Sequence, residues 1–487
     1  AFGVLFQSIS AYLHVHMHAV LRAILTAYQN FNLMLIRCGE QPVPSQAASV
    51  ELSAILCDIQ SLVATVLSTV SPRLACPVLV QYLAPKEQDA YVHLGDHAMQ
   101  LLVYVLGTGG GGLKLGILEC SDCDADSEAM EVAGAPQVVV EGIFRTKYHR
   151  AVVQENMAAL CQIALLLLDY RRSGAGDTAG ALDGEICRCV VELCLKWTET
   201  ELSNFVSRAL VWKNSEVSVS VGTSGKKLKL TNADAEDSEV SSDRAVVFFH
   251  LLSALSHKLQ GIFTPTLVSG ATMAWSEAVH ALQGVCDACE EDGESAVQLM
   301  ASSKKRKASE RAPLPTEVAE LCKYTLLCVR GVATHHLDCT AIDTVKYESV
   351  MPLLVSLLPH WGLFSAVATD EVLVSTLTAL AKAVNKDLLW KPMNYKLLML
   401  TRPSRTVGRG KLTSSTTNYT PTRLLAIRTL HQLFIDVGED YLMLLPECLP
   451  FLSECLEDHN KDIVHYTSKF IQYIETLSGE KLDAYVV

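Results

Sequence analysis

The chain has 487 residues, of which 49% are hydrophobic, and a formal net charge of −13 at pH 7. This length corresponds to about two to four ordinary domains or to one long repeat array, and the acidic balance argues against a protein whose main work is coating nucleic acid. Aromatic residues make up only 7% of the sequence, which favours stacked helices over aromatic-rich β-sandwiches. The 16 scattered cysteines predict free, mostly buried thiols in a reducing compartment, and neither a secretory signal nor a membrane span is predicted.

Apolar residues recur at steps of three and four along most of the chain, which is typical of amphipathic helices. Four segments carry this pattern: 1–106, 138–289, 316–400 and 423–487. Three segments between them predict loops or linkers: a Gly-rich and acidic loop at 107–137, a basic Ser/Pro linker at 290–315 and a basic loop at 401–422. Helix, turn and helix repeated end to end predict an all-α fold, a HEAT-type α-solenoid of stacked antiparallel helix pairs with several disordered or irregular loop insertions.

The stretch YLMLLPECLPFLSECLEDHNKDIV, residues 441–464, carries Pro446 and Pro450 inside a helical pattern. A proline lacks an N–H, and its ring clashes with the carbonyl four residues earlier. The regular helix is therefore predicted to start near these prolines and to meet the preceding turn at a bend. The predicted buried stripe of this helix is Leu445, Leu449, Leu452 and Leu456. The predicted structural core of the C-terminal repeat is Leu445, Pro446, Pro450, Leu452, Phe470 and Ile474.

No set of residues predicts catalysis. The stretch GTGGGGLKLG, residues 107–116, lacks the Gly-Lys-Ser/Thr ending of a phosphate-binding loop, and no Gly-x-Ser-x-Gly elbow occurs. Two CxxC pairs begin at Cys120 and Cys286, but their separation far exceeds the spacing within a zinc module. The sequence thus predicts a protein that is not an enzyme, with no metal site, no cofactor and no small-molecule substrate.

The linker at 290–315 contains a cluster of four basic residues in a Ser-rich setting. Its members are Lys304, Lys305, Arg306 and Lys307. Such a cluster in a flexible linker fits capture by an acidic import receptor or contact with RNA phosphates, and a merely solvated linker is the alternative interpretation.

The loop at 401–422 carries a second set of cations among Ser, Thr and Gly. They are Arg402, Arg405, Arg409 and Lys411. A positive loop on an acidic scaffold docks on phosphates by releasing counterions, which makes these residues candidate RNA contacts. A tolerated insertion without a function is the alternative.

Several motifs resemble one protein family. WKPMNYKLLMLTR at 390–402, LLPECLPFLSE at 444–454 and GEKLDAY at 479–485 are similar to the end of the large HEAT-repeat, U-three-snoRNA-associated proteins of the small-subunit processome, which belong to its UtpA subcomplex. LCLKWTETELSNFVSRALVWKNSE at 193–216 resembles the domain that precedes those repeats. The resemblance covers residues 191–487, whereas the loop from 403 to 420 is longer than the compact turn of the family, and the linker around Lys304 is local to this sequence.

The resemblance implies a non-catalytic scaffold that acts in the nucleolus, within the nucleus, on maturation of pre-18S rRNA and assembly of the small subunit. It also implies other UtpA proteins as partners, including β-propeller subunits, contact with the 5′ external spacer of the precursor, and a link to rDNA transcription. No membrane is implied as a partner.

Two other classes of function are compatible with the helical periodicity. One is a transport or adaptor solenoid, importin-like or phosphatase-scaffold-like, that binds protein cargo. The other is an enzyme whose buried site the sequence does not reveal. Precursor rRNA recovered with the protein would separate the scaffold from the adaptor.

Overall fold

The computed structural model describes residues 70–83, 150–170, 179–214, 237–269, 272–302, 315–335, 342–384, 386–402 and 420–482, with scattered positions between 16 and 67. Within these ranges every regular element is a helix and no strand occurs, so the predicted all-α, HEAT-type solenoid is confirmed. No helix among them is both long and apolar enough to cross a membrane. The chain divides into two compact units, Ala1–Val247 and Phe248–Val487.

The first unit is organised around one apolar helix. Its described helices are α1 (Pro72–Leu83), α2 (Arg150–Glu155), α3 (Met157–Tyr170), α4 (Ala179–Cys194), α5 (Glu199–Asn214) and the start of α6 (Asp237–Leu259). Helix α3 packs against α1, α4 and α5, because its sequence MAALCQIALLLLDY is apolar on more than one face. Helix α5 starts at a reciprocal cap, in which Glu201 accepts a hydrogen bond from the Thr198 amide and the Glu201 amide donates to the Thr198 hydroxyl.

The second unit consists of stacked helix pairs in two layers. Its further helices are α7 (Thr264–Val268), α8 (Ala274–Ser302), α9 (Thr316–Thr334), α10 (Thr344–Leu357), α11 (Asp370–Val384), α12 (Asp387–Thr401), α13 (Thr420–Val437), α14 (Leu445–Leu456) and α15 (Lys461–Ser478). The pairs are α8/α9, α10/α11, α12/α13 and α14/α15. The first helices contact one another in succession and form one layer, and the second helices form the other. Each layer covers the face that the other leaves apolar, which is the packing rule of a solenoid.

Two of the predicted segment boundaries differ from the structure. Helix α8 continues to Ser302, past the predicted start of the linker at 290. Gly293 does not end it, since one glycine costs a helix only about 1 kcal/mol. The loop predicted at 401–422 is shorter, because α12 includes Thr401 and α13 begins at Thr420. The loop predicted at 107–137 lies outside the described residues.

The prolines of the first layer lie on its exposed side. Pro352, Pro392 and Pro450 are each inside the first helix of a pair, and all three are exposed. Pro446 lies in the first turn of α14, where its missing N–H would have had no helical acceptor. A short 3₁₀ segment, Gly438–Leu444, leads into α14, so the regular helix begins at Leu445, close to the predicted start. Pro446 and Pro450 therefore act on the helix from its solvent-exposed side. The prediction that they belong to the core was wrong.

The buried stripe of α14 is shifted from the predicted one. Leu452, Phe470 and Ile474 are buried, but Leu445 and Leu449 are only half-buried. Cys448 and Cys455 take the buried positions that were assigned to Leu449 and Leu456. A cysteine can take such a position because it packs as a small apolar side chain.

Replacing Leu452 by Ala should loosen α14 and α15 while the rest of the second unit stays folded. Leu452 is 1% exposed, and emptying such a site costs about 2–5 kcal/mol. Because repeats contact mainly their neighbours, the damage should remain local. Hydrogen exchange should show faster exchange of the amides of α14 and α15 in this variant.

Met443→Ala is the matched control, since Met443 lies nine residues away in sequence and is 56% exposed. Its amide exchange should equal that of the wild type. Unchanged protection of α14 in Leu452→Ala would contradict the assignment of Leu452 to the core.

Candidate functional site

Of the eight predicted cationic residues, Arg402 is the one that the structure describes. Lys304, Lys305, Arg306 and Lys307 lie outside the described residues, as do Arg405, Arg409 and Lys411. Arg402 is described, and so are both ends of the segment that holds the other three, namely Thr401 at the end of α12 and Thr420 at the start of α13. The candidate site is therefore described by the contacts at the two ends of this segment.

Arg402 is held by a carboxylate of the next repeat. Its Nε and Nη2 atoms donate to the two carboxylate oxygens of Glu454, at 3.2 Å each, and its guanidinium carbon lies 4.3 Å from the ring centroid of Phe451. A two-pronged contact of this kind fixes the orientation of the guanidinium plane. Arg402 thus has a structural role, because it fixes the start of the segment against α14, and its contact with RNA phosphates stays a prediction.

Arg423 fixes the other end of the segment more tightly. It is buried, its Nε donates to the carbonyl oxygen of Thr401 at 2.7 Å, and its Nη2 donates to a carboxylate oxygen of Asp458. Asp458 also accepts from the amide of Asn460, and the side chain of Asn460 caps α15. One guanidinium thereby joins the end of α12, the start of α13 and the turn before α15.

The carboxyl group of Asp458 stays ionised in this setting. Burial alone would raise its pKa, but the hydrogen bonds from Arg423 and from the Asn460 amide, with the positive charge of Arg423, hold the pKa below its ordinary value. Arg423 is buried and Asp458 is half-buried, so breaking this ion pair leaves a partly desolvated carboxylate without its donor.

A polar group lies inside the core beside these contacts. Asn394 is buried on α12, and its Oδ1 atom accepts from the Tyr441 hydroxyl at 3.4 Å and from the Cys448 thiol at 3.6 Å. Burial raises the pKa of the Cys448 thiol to about 12 and raises that of Tyr441. Both groups are therefore neutral at physiological pH, and Cys448 has no thiolate with which to act as a nucleophile.

Aromatic packing joins the same helices. Trp390 donates from Nε1 to the carbonyl oxygen of Ala381 at 2.9 Å, and its ring lies 5.4 Å from that of Tyr441. Tyr441 in turn contacts Phe434, whose ring lies 5.2 Å from Phe470. Each link connects a different helix, so the motif WKPMN at 390–394 holds successive repeats in register.

The described cysteines are buried as well. Cys286 and Cys289 are both buried, and the Sγ atom of Cys286 lies 3.3 Å from the Ser356 hydroxyl on α10. In the part of the chain that the structure describes, no three His, Cys, Asp or Glu side chains group as metal ligands. Cys120 and Cys123 are outside it.

The sequence prediction missed Asn394 and Arg423. Asn394 follows Trp390 by four residues, so a polar residue on an apolar helix face was a usable signal for a buried polar contact. Arg423 carried no such signal, because its two partners lie 22 and 35 residues away in the chain.

Replacing Arg423 by Met should lower the free energy of unfolding by about 1–3 kcal/mol at pH 7, since it leaves the half-buried carboxylate of Asp458 without its cation and hydrogen-bond donor. The folded-state pKa of Asp458 is lowered, so this contribution is present above the unfolded pKa of about 3.9 and is lost as pH falls through the folded value. Urea denaturation should therefore show a large difference from wild type at pH 7 and a smaller one in acid.

Adding Asp458→Leu to Arg423→Met should restore part of the lost stability, because no unpaired charge remains. Arg428→Met is the control, since Arg428 pairs with Asp370 at 3.2 Å on the exposed surface, where a pair contributes up to about 1 kcal/mol. Equal stability of Arg423→Met and wild type at pH 7 would contradict the role given to the buried pair.

Comparison with known proteins identifies relatives of this chain. Residues 152–387 match the family described as the BP28CT (NUC211) domain. The chain is 28% identical over 68% of its length to HEAT repeat-containing protein 1 of Homo sapiens, and 25% identical over 73% of its length to U3 small nucleolar RNA-associated protein 10 of Aspergillus fumigatus. It is 31% identical over 30% of its length to HEAT repeat-containing protein 1 homolog of Dictyostelium discoideum.

The matched part is a small share of each relative. It spans 13% of the human protein, 18% of the Aspergillus protein and 6% of the Dictyostelium protein. The chain thus combines a region that matches the BP28CT (NUC211) domain with C-terminal HEAT-type repeats, and it is similar to one part of much longer HEAT repeat-containing proteins.

Proposed function

We propose that the chain is a non-catalytic scaffold in the assembly of the small ribosomal subunit, acting in nucleolar processing of pre-18S rRNA. The observation that carries this proposal is the similarity, over 73% of the chain, to a protein named for its association with U3 small nucleolar RNA. The match to the BP28CT (NUC211) domain and the HEAT-type architecture support it. The chain is taken to be a C-terminal part of a large protein of the UtpA subcomplex.

The physical character of the chain fits a protein that assembles partners. Stacked repeats present extended faces, each made of several helices, on which partner proteins can dock. The net charge of −13 disfavours RNA over most of the surface. We therefore assign the main affinity to protein partners, namely other UtpA proteins including β-propeller subunits. Contact with the 5′ external spacer is local, and a link to rDNA transcription belongs to the same proposal.

The proposal is tested by recovering the tagged chain from nuclear extract and sequencing the RNA that comes with it. Enrichment of the 5′ external spacer is expected, with nucleolar localisation of the tag. Recovery without precursor rRNA, together with stoichiometric protein cargo, would favour a transport or adaptor solenoid.

Changing Lys304 through Lys307 to Ala in the same tagged chain should lower its nuclear accumulation if that cluster is the import signal, and unchanged accumulation would contradict this role.

The segment between α12 and α13 should carry the local RNA contact through Arg405, Arg409 and Lys411. Changing these three residues to Ala should weaken binding of purified chain to spacer RNA. If they neutralise three phosphates of a single strand, the slope of log affinity against log salt should become less steep by about 2. Fluorescence anisotropy at several salt concentrations measures this.

Arg402→Ala is the matched control for the segment. Its guanidinium is engaged by Glu454, so its removal should change the salt dependence of RNA binding little. RNA affinity that survives the triple change, or that depends on Arg402 alone, would show that the contact lies elsewhere.

A further inference from the structure

Helix α12 presents an apolar stripe to solvent as well as an apolar face to the core. Its buried residues are Trp390, Met393, Asn394, Leu397, Leu398 and Thr401. On the opposite side, Leu388 is 73% exposed, Tyr395 58% and Met399 38%. These three residues are separated by seven and four positions, which places them on one line along the helix. The exposed Pro392 lies within that line.

Two lysines flank this stripe. Lys391 and Lys396 are exposed, and at about 100° per residue they lie on opposite sides of the line from Leu388 to Met399. In the described part of the chain neither lysine forms an ion pair, whereas Arg402, Arg423 and Arg428 each pair with a carboxylate. The cations of the stripe are thus available to a partner, while the neighbouring arginines hold repeats together.

The charge of α12 differs in sign from that of the whole chain. Helix α12 has one acidic residue, Asp387, in its first turn, although acidic residues outnumber basic ones by 53 to 40 over the whole sequence. An acidic partner would be repelled by most of the surface and attracted to this helix. Such a contrast directs docking to one place and fixes its orientation.

The chemistry of a partner that fits this surface follows from an exposed line of large apolar side chains between two cations. A helix with apolar residues at i, i+3 or i+4 and i+7 would bury Leu388, Tyr395 and Met399, and acidic residues beside them would meet Lys391 and Lys396. A single-stranded RNA would satisfy the lysines and could stack on Tyr395, but it would leave Leu388 and Met399 without an apolar partner.

We propose that the outer face of α12, formed by Leu388, Lys391, Tyr395, Lys396 and Met399, is a docking site for an acidic amphipathic helix of a partner protein. This inference rests on the proposed scaffold function, since it names the surface on which one partner is held. It adds to that function the chemistry of the partner: apolar residues in helical spacing between carboxylates.

The test measures peptide binding to the full 487-residue chain by fluorescence anisotropy. The probe is a synthetic helical peptide with leucines in the stated spacing, flanked by glutamates. Two further probes are the same peptide with every glutamate replaced by lysine, and a single-stranded RNA oligonucleotide. The acidic peptide should bind at least tenfold more tightly than the basic one.

Two variants locate the binding. Tyr395→Ser with Met399→Ser should weaken the acidic peptide at least tenfold, and Lys391→Glu with Lys396→Glu should weaken it and improve binding of the basic peptide. Ile262→Ser with Met273→Ser controls for loss of exposed apolar surface elsewhere, because both residues are exposed. Lys382→Glu with Lys461→Glu controls for net charge, and both lysines are exposed. Neither control should change binding.

Equal binding of the two peptides, or wild-type affinity in both stripe variants, would overturn the inference. RNA binding that is lost with Tyr395 and Met399 while the peptide is not bound would assign the face to RNA instead. Self-association that the serine variant abolishes, measured by sedimentation, would make the occupant a second copy of the chain. The peptide assay uses purified chain and is independent of the RNA recovery. If the acidic peptide does not bind but precursor rRNA is recovered, only this inference is refuted. If the peptide binds but no precursor rRNA is recovered, only the proposed function is refuted.

Discussion

Each helix of the second unit buries an apolar face that its own partner cannot cover alone, and this constraint governs the rest of the structure. Helix α13 shows it most clearly, since it packs on α12 within its pair and on α11 and α15 along its layer. Its buried residues include the consecutive Leu425, Ala426 and Ile427, which point to different sides of the helix. Stability is therefore shared between neighbouring repeats, and no single pair would keep its fold alone.

The polar contacts refine this packing in a second way. Apolar side chains tolerate small shifts along a helix, whereas a hydrogen bond is lost when its atoms move by about 1 Å. Asn394, with Tyr441 and Cys448 as its donors, and Arg423, between Thr401 and Asp458, each join helices of successive repeats. Placed inside the stack, they select one alignment of α12, α13 and α14 among several that would bury similar apolar area.

The sequence was sufficient for the helical class and for most helix positions, because a period of 3.6 is read from local spacing. Where a helix carries two lines of apolar residues, the sequence could not tell which line is buried. In α14 the choice between Leu449 and Cys448 depends on which line faces the neighbouring helices, and Cys448 is the one that reaches Asn394 of α12. In α12 the line Leu388, Tyr395 and Met399 has the same spacing as a core line, and only the neighbouring helices decide that it faces solvent. The role of Arg402 was likewise invisible, since its carboxylate lies 52 residues away.

The position of the prolines gives the two layers different mechanical properties. Pro352, Pro392 and Pro450 interrupt helices of the first layer, while α9, α11 and α15 of the second layer contain no proline. Each proline removes one backbone hydrogen bond and is a point where a helix bends easily. Beside Pro392, the carbonyl oxygen of Leu389 accepts a hydrogen bond from the Tyr347 hydroxyl of the preceding repeat. This contact holds the interrupted helix to α10. The layer that carries these prolines is thus the more compliant of the two, and the second unit can bend there without the unfolding of a helix.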